Sequence, residues 1–190
     1  VLGRALTRTL TGAPMDGPAK LAWGVLLGTL PVGVVGLFAH AFVATTLRSV
    51  QLIAAATILF GVALWLSDRL GQRSRSLDSF KMRDALLIGC AQAIALIPGT
   101  SRSGITITAA LALGMTREAA ARFSFLLSIP VIVLASSLEI VQLAGKPAAQ
   151  PWGELAAVVF LSGLSAFICI HAFLKFVERV GMAPFVLYRI

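Results

Sequence analysis

The chain alternates long apolar runs with short polar breaks, and the breaks carry most of the charge. Leu21–Leu47 holds no formal charge, and neither do Ser49–Ser67 and Leu155–Leu174. About 20 apolar residues suffice to cross a bilayer as a helix. The pattern predicts spans near 21–39, 49–67, 122–142 and 154–174, and the start of another at 183–190. Pro31 and Pro130 fall inside two of these, which membrane helices tolerate. The 84–116 region is different. Ala85–Ser101 is marginal for a span and Ser103–Thr116 is too short, with Arg102 between them. Leu27-Gly28-Thr29-Leu30-Pro31-Val32 weakly echoes Leu126-Leu127-Ser128-Ile129-Pro130-Val131. A hydroxyl before a proline-kinked turn reads first as packing, with a duplication as the lesser alternative.

Composition strengthens the membrane assignment. Of 190 residues, 58% are hydrophobic and 13% charged, with a mean hydropathy of +0.92; soluble domains carry about 25% charged residues. A net charge of +8 could suggest nucleic acid. The basic residues sit instead in short loops between apolar runs, as topology determinants do, and no nucleic-acid partner is expected. Cys90 and Cys169 both lie in apolar runs and form no disulfide framework. The sequence contains no Cys/His metal-ligand pattern, so no metal site is assigned to its residues.

Charge also sets the topology. If the side of residues 1–20 is the inside, inside loops carry twelve of the sixteen basic residues, and outside loops carry only Arg48 and Lys146. A single crossing by 84–116 would move Arg117, Arg122, Lys175 and Arg179 outside and weaken this bias. The region therefore enters and leaves on one side, as two very short spans or as a re-entrant helical hairpin. The Pro98-Gly99 break favours the hairpin. Irregular backbone at membrane depth requires protein burial or a cavity around it. The expected fold is an all-α polytopic membrane protein of one domain, with transmembrane helices and one re-entrant hairpin.

The break itself, Pro98-Gly99-Thr100-Ser101-Arg102-Ser103-Gly104, has the chemistry of an anion site. Pro98 and Gly99 end one half-helix, and Ser101 or Ser103 caps the next. A helix N-terminus offers free N–H groups and partial positive charge to phosphate. Arg102 adds a fork suited to phosphate oxygens; Ser101, Ser103 and Thr106 add hydroxyls. The bland alternative is a capped loop outside the membrane. Against it, an arginine at membrane depth costs at least about 2.5–3.5 kcal/mol and marks a functional site by default. Glu139 and His40 read as outer-interface residues, and His171 as an inner-end residue remote from the break. Trp23, Trp65 and Trp152 fall near span boundaries, as aromatic belts do.

The run Leu86–Gly104, with Ile97-Pro98-Gly99-Thr100-Ser101-Arg102-Ser103-Gly104 at its end, closely resembles a motif of bacterial undecaprenyl-diphosphate phosphatases, the bacitracin-resistance family. Arg122-Phe123-Ser124-Phe125-Leu126-Leu127-Ser128-Ile129-Pro130 and Pro184-Phe185-Val186-Leu187-Tyr188-Arg189 extend the resemblance along the chain. It implies an inverted-repeat membrane fold of which this chain holds about half. It implies hydrolysis of undecaprenyl diphosphate, a polyprenyl diphosphate lipid, during recycling of the cell-wall lipid carrier. The site would face the outside of the bacterial cytoplasmic membrane. Arg102, Ser101 and Ser103 would be catalytic; Gly99, Thr100, Gly104 and Thr106 would bind substrate. A divalent cation, Mg or Ca, would be the cofactor, and a homodimer stays open. The family's other motif, Glu-Gly-x-Thr-Glu followed by Pro-x-Ser-Ser-x-Gly-His, would lie before Val1, and the last span would continue past Ile190. The resemblance ties the metal to those glutamates, so the 190-residue chain alone is expected to be inactive. A polyprenyl-phosphate transporter or flippase is the competing reading, since broken helices near the midplane also mark transporters.

Overall fold

The computed structural model describes residues 6, 7, 9, 16–46, 49–144 and 152–189. The Arg48 and Lys146 loops therefore lie outside the described residues. The described chain is helical, with no strand; Arg75 and Met115 form an isolated bridge. Its helices are α1 (Gly17–Thr46), α2 (Val50–Leu70), α3 (Met82–Ile94), α4 (Arg102–Ala112), α5 (Arg117–Ala144), α6 (Trp152–Val180) and α7 (Ala183–Arg189).

Helix starts follow local capping chemistry. Asp16 accepts from Ala19 N at 2.9 Å ahead of α1, and Ser49 Oγ accepts from Leu52 N at 3.2 Å ahead of α2. The side chain of Asp84 accepts from Lys81 N at 2.9 Å and closes the first turn of α3. Such caps satisfy N–H groups that have no carbonyl four residues earlier. The four long helices outrun the predicted spans at one or both ends. Segments Gly17–Phe38, Val50–Leu70, Arg117–Val141 and Gly153–Val180 are each long and apolar enough to cross a membrane. Their large side chains point outward: Leu37 is 83% exposed and Phe160 70%. Apolar surface on this scale is stable only in lipid or against another protein, and the chain is a polytopic membrane protein. Thr29 Oγ1 donates to Val25 O at 2.8 Å and Ser128 Oγ to Phe125 O at 2.6 Å. Both hydroxyls of the Pro31/Pro130 echo thus serve their own helices, in keeping with packing.

Two short helices sit between the long ones. α3 has 13 residues and α4 has 11, about 20 and 16 Å of rise against a hydrocarbon core of about 30 Å. α3 packs along α1 through small residues. Gly24 faces Ala85, and a Cβ on Gly89 would collide with the carbonyl oxygen of Gly28. Close backbone approach of this kind is how helices associate in lipid. α4 packs along α2: Thr57 meets Gly99 at one end, and Gly71 lies against the Leu111 carbonyl at the other. Around this contact Phe80 and Phe123 stack with centroids 4.6 Å apart, and Ile88, Leu111 and Leu127 are fully buried.

Arg75 fixes the direction of the pair. Its Nη1 donates to Leu113 O at 3.0 Å, beyond the end of α4, and its Nη2 to Asp84 Oδ2 at 2.5 Å, in the first turn of α3. One guanidinium therefore holds the first turn of one short helix and the end of the other, and the chain leaves at the end where it entered. Its backbone joins the same clasp, with Arg75 N donating to Gly114 O and Thr116 N to Arg75 O. The hydrogen bond to Asp84 raises the pKa of Arg75 above its ordinary value, against the opposing effect of burial.

Two outcomes are expected. Asp84→Ala leaves Arg75 without its counter-charge and costs about 3 kcal/mol, read as a lower unfolding midpoint in detergent; an unchanged midpoint would contradict the clasp. Gly89→Val forces α1 and α3 apart and lowers the midpoint, whereas Gly33→Val, where a Cβ meets nothing within 4 Å, leaves it in place.

Candidate functional site

The tip between α3 and α4 is a chain of tight turns whose backbone groups find nearby partners. Ala95 N donates to Gln92 O, Leu96 N to Ala93 O, Ile97 N to Ile94 O and Thr100 N to Ile97 O. The turn needs left-handed backbone at Gly99 (φ 92°) and Ser101 (φ 62°). At Gly99 a Cβ would also strike the Ile53 carbonyl oxygen, so only glycine fits. Ser101 is the N-cap of α4, its Oγ accepting from Gly104 N at 3.3 Å. Its positive φ is a strained conformation of the kind found at ligand sites.

A cavity of about 630 Å³ opens beside this tip. Its polar wall comprises Thr57, Ser101, Ser103, Tyr188 and Arg189, with Gly99 and Gly104 between them. Its apolar wall includes Leu64, Ile107, Phe173 and Phe185. Arg189 arrives from α7. Its Nη2 donates to Gly99 O at 2.7 Å and Thr100 O at 3.0 Å, which satisfies two carbonyls of the broken helix. A Cβ on Gly104 would lie 2.7 Å from Arg189 Nη1 and 3.3 Å from Ser101 Oγ. Glycine there lets the guanidinium lie against the start of α4. Arg189 Nη1 is buried without a hydrogen-bond partner, and so is Arg102 Nη1. Unpartnered guanidinium donors beside a helix N-terminus and two serine hydroxyls are the complement of an oxyanion.

The structure divides the residues expected from sequence. Gly99, Ser101, Ser103 and Gly104 line the cavity together. Thr106 stands behind it. Only 1% exposed, its Oγ1 lies 2.7 Å from Ser124 Oγ and donates to Arg102 O at 2.9 Å. It ties α4 to α5 and lies outside the cavity lining, its hydroxyl turned to Ser124 and to the carbonyls of Arg102 and Ser103. Arg102 itself is half-buried and outside the cavity lining. Thr100 is fully buried, and its hydroxyl has no partner. Glu139 and His171 are exposed and away from the cavity, while the side chains of His40 and Trp152 lie outside those described. Arg189, Thr57 and Tyr188 had no assigned role in the sequence reading. The signal for Arg189 was present: it is the one charge in Met182–Ile190, as Arg102 is in its own apolar stretch.

A divalent cation does not fit these residues. Among the described residues no carboxylate, imidazole or thiolate lines the cavity. Among the described residues no group of three or more His, Cys, Asp or Glu side chains could hold a metal.

Comparison with known proteins identifies the family. The family model for the bacitracin resistance protein BacA matches residues 2–190. Undecaprenyl-diphosphatase 2 of Stutzerimonas stutzeri is 54% identical over 177 residues, covering 92% of this chain and 66% of that protein. The undecaprenyl-diphosphatase of Thioalkalivibrio sulfidiphilus is 53% identical over 183 residues, covering 96% and 69%. That of Nitrosococcus oceani is 50% identical over 189 residues, covering 100% and 71%. The chain thus spans about two thirds of the length of these relatives. With the family model matched along nearly all its length, the chain belongs to the bacitracin resistance protein BacA family.

Proposed function

We propose that the protein hydrolyses undecaprenyl diphosphate to undecaprenyl phosphate and inorganic phosphate in the bacterial cytoplasmic membrane. The observation that carries this is the hairpin tip, where a capped helix start, two serine hydroxyls and the Arg189 guanidinium converge on one cavity. The relatives, undecaprenyl-diphosphatases by name, support the same activity and favour a hydrolase over a transporter.

In this reading α3 and α4 form a re-entrant hairpin entering from the basic, cytoplasmic side. Thr57, which meets the tip, lies seven residues into α2, about 10 Å from that helix's outer end. The cavity then opens toward the outer face, with its apolar wall against the polyprenyl chain. Phosphoryl transfer depends mainly on positioning and charge neutralisation. The N–H groups heading α4, Ser101 Oγ, Ser103 Oγ and Arg189 hold the diphosphate oxygens, and Arg102 adds its charge from the neighbouring face of the helix. A water oxygen bonds to the terminal phosphorus, the bridging P–O bond breaks, and the lipid phosphate leaves with its negative charge stabilised at the tip. The water's proton passes to an oxygen of the inorganic phosphate product, since the cavity lining offers neither carboxylate nor imidazole among the described residues.

Arg102→Ala in the full-length product of the gene is expected to lower phosphate release from a short polyprenyl diphosphate by about a hundredfold, with the unfolding midpoint retained. Normal hydrolysis by that variant would remove Arg102 from the mechanism. Arg189→Gln is expected to weaken binding of inorganic pyrophosphate by about tenfold, measured by calorimetry; unchanged binding would place the anion elsewhere.

A further inference from the structure

At the end of the bundle opposite the hairpin tip, a second ion pair, its carboxylate buried and its guanidinium partly exposed, holds a joint. Arg117 Nε donates to Asp68 Oδ1 at 2.6 Å and Arg117 Nη2 to Asp68 Oδ2 at 2.9 Å. Asp68 Oδ2 also accepts from Met182 N at 3.4 Å, a contact 114 residues apart in sequence. Met182 is 1% exposed and immediately precedes α7. The residue before it, Gly181, closes α6 by donating its N–H to Val177 O at 3.0 Å, with φ 83°. A Cβ on Gly181 would lie 2.9 Å from Arg117 Cζ, so the turn is pressed flat against the guanidinium of the pair. Asp68, Arg117 and the Gly181-Met182 turn therefore form one unit that fixes where α7 begins.

The far end of α7 is Arg189. Between Asp68 and Thr57, α2 rises by eleven residues, about 16 Å. α7 covers seven residues, about 10 Å of that distance, and the remainder is roughly the reach of an extended arginine side chain. The start of α7 is thus set at the level that delivers Arg189 Nη2 to the carbonyls of Gly99 and Thr100. With one short helix between them, a shift at the Asp68 end becomes a shift at the tip.

We infer that the Asp68–Arg117 pair is a positioning device for the site: through Met182 N–H and the Gly181 turn it sets α7 and so places the Arg189 guanidinium on the hairpin tip. The inference rests on the diphosphate-binding reading above. It differs in kind from the Arg75–Asp84 clasp, which holds the hairpin and touches no part of α7.

A double-mutant cycle separates positioning from plain stabilisation. Asp68→Asn keeps the shape of the side chain and removes the charge that aligns Arg117. Gly181→Ala keeps both charges but strains the turn and presses a Cβ onto the Arg117 guanidinium, so it displaces the same joint without removing Asp68 and serves if Asp68→Asn fails to fold. Either change is expected to weaken inorganic pyrophosphate binding by about tenfold in the otherwise native chain. Neither is expected to weaken it further in an Arg189→Gln background. Losses of equal size in both backgrounds, or no loss in the native one, would overturn the inference. Hydrogen exchange over Ala183–Arg189 needs no ligand and keeps the two readings apart. Faster exchange in the variants, with no pyrophosphate bound by the native chain, would leave the positioning role standing and remove the diphosphate reading. Unchanged exchange would overturn the positioning role.

Discussion

Hydrocarbon offers no partner to a backbone N–H or C=O, so a broken helix at membrane depth must satisfy every such group from within the protein. In the re-entrant placement proposed above, the hairpin tip of this protein answers that constraint. Tight turns satisfy the amides of Ala95, Leu96, Ile97 and Thr100. Side chains from other helices satisfy the carbonyls: Thr57 Oγ1 donates to Gly99 O at 3.2 Å, and Arg189 Nη2 donates to both Gly99 O and Thr100 O. Ser101 caps the restart of the helix. Among the described residues, the buried side-chain atoms left without a partner are the Gln92 amide, the Thr100 hydroxyl and the Nη1 of both Arg102 and Arg189. The leading N–H groups of α4 and the free Nη1 donors of Arg102 and Arg189 are all donors. A site left with an excess of donors is a site for an anion.

The arginines divide the work between the two ends of the bundle. At the base, Arg75 and Arg117 are each paired with a carboxylate, Asp84 and Asp68. Those two aspartates are nearly buried, and a pair of this type confers position more reliably than net stability. At the tip, Arg102 and Arg189 lie near no carboxylate within ion-pair distance among the described residues. The same side chain thus locks geometry where a counter-ion is supplied and keeps charge available where none is. The glycines follow this division. Gly28 and Gly89 let backbones touch along α1 and α3, while Gly99 and Gly104 admit a carbonyl and a guanidinium at the tip.

Much of this was legible from residue order. Uncharged runs located the long helices, because length and hydropathy alone decide whether a helix can cross a membrane. The one-sided placement of basic residues led to the expectation that 84–116 returns to its own side, and Arg102 marked the break between its two short helices. The motif around it led to the family. Tertiary facts were not legible. Nothing in the sequence says that Arg189 meets Gly99, ninety residues away, or that Arg75 joins the two ends of the hairpin. Nor does residue order say that the Thr106 hydroxyl meets Ser124 on the next helix.

The central claim is that the hairpin tip is an anion site at membrane depth, open on the side opposite the basic 68–83 loop. Cysteine accessibility at Ser103 tests it most directly. With Cys90 and Cys169 replaced by alanine, a Ser103→Cys chain in sealed vesicles is treated with a membrane-impermeant thiol reagent from each side in turn. Labelling from the face opposite the 68–83 loop alone, slowed by inorganic pyrophosphate, is the predicted result. Labelling from the loop side, or labelling that pyrophosphate leaves unchanged, would contradict it.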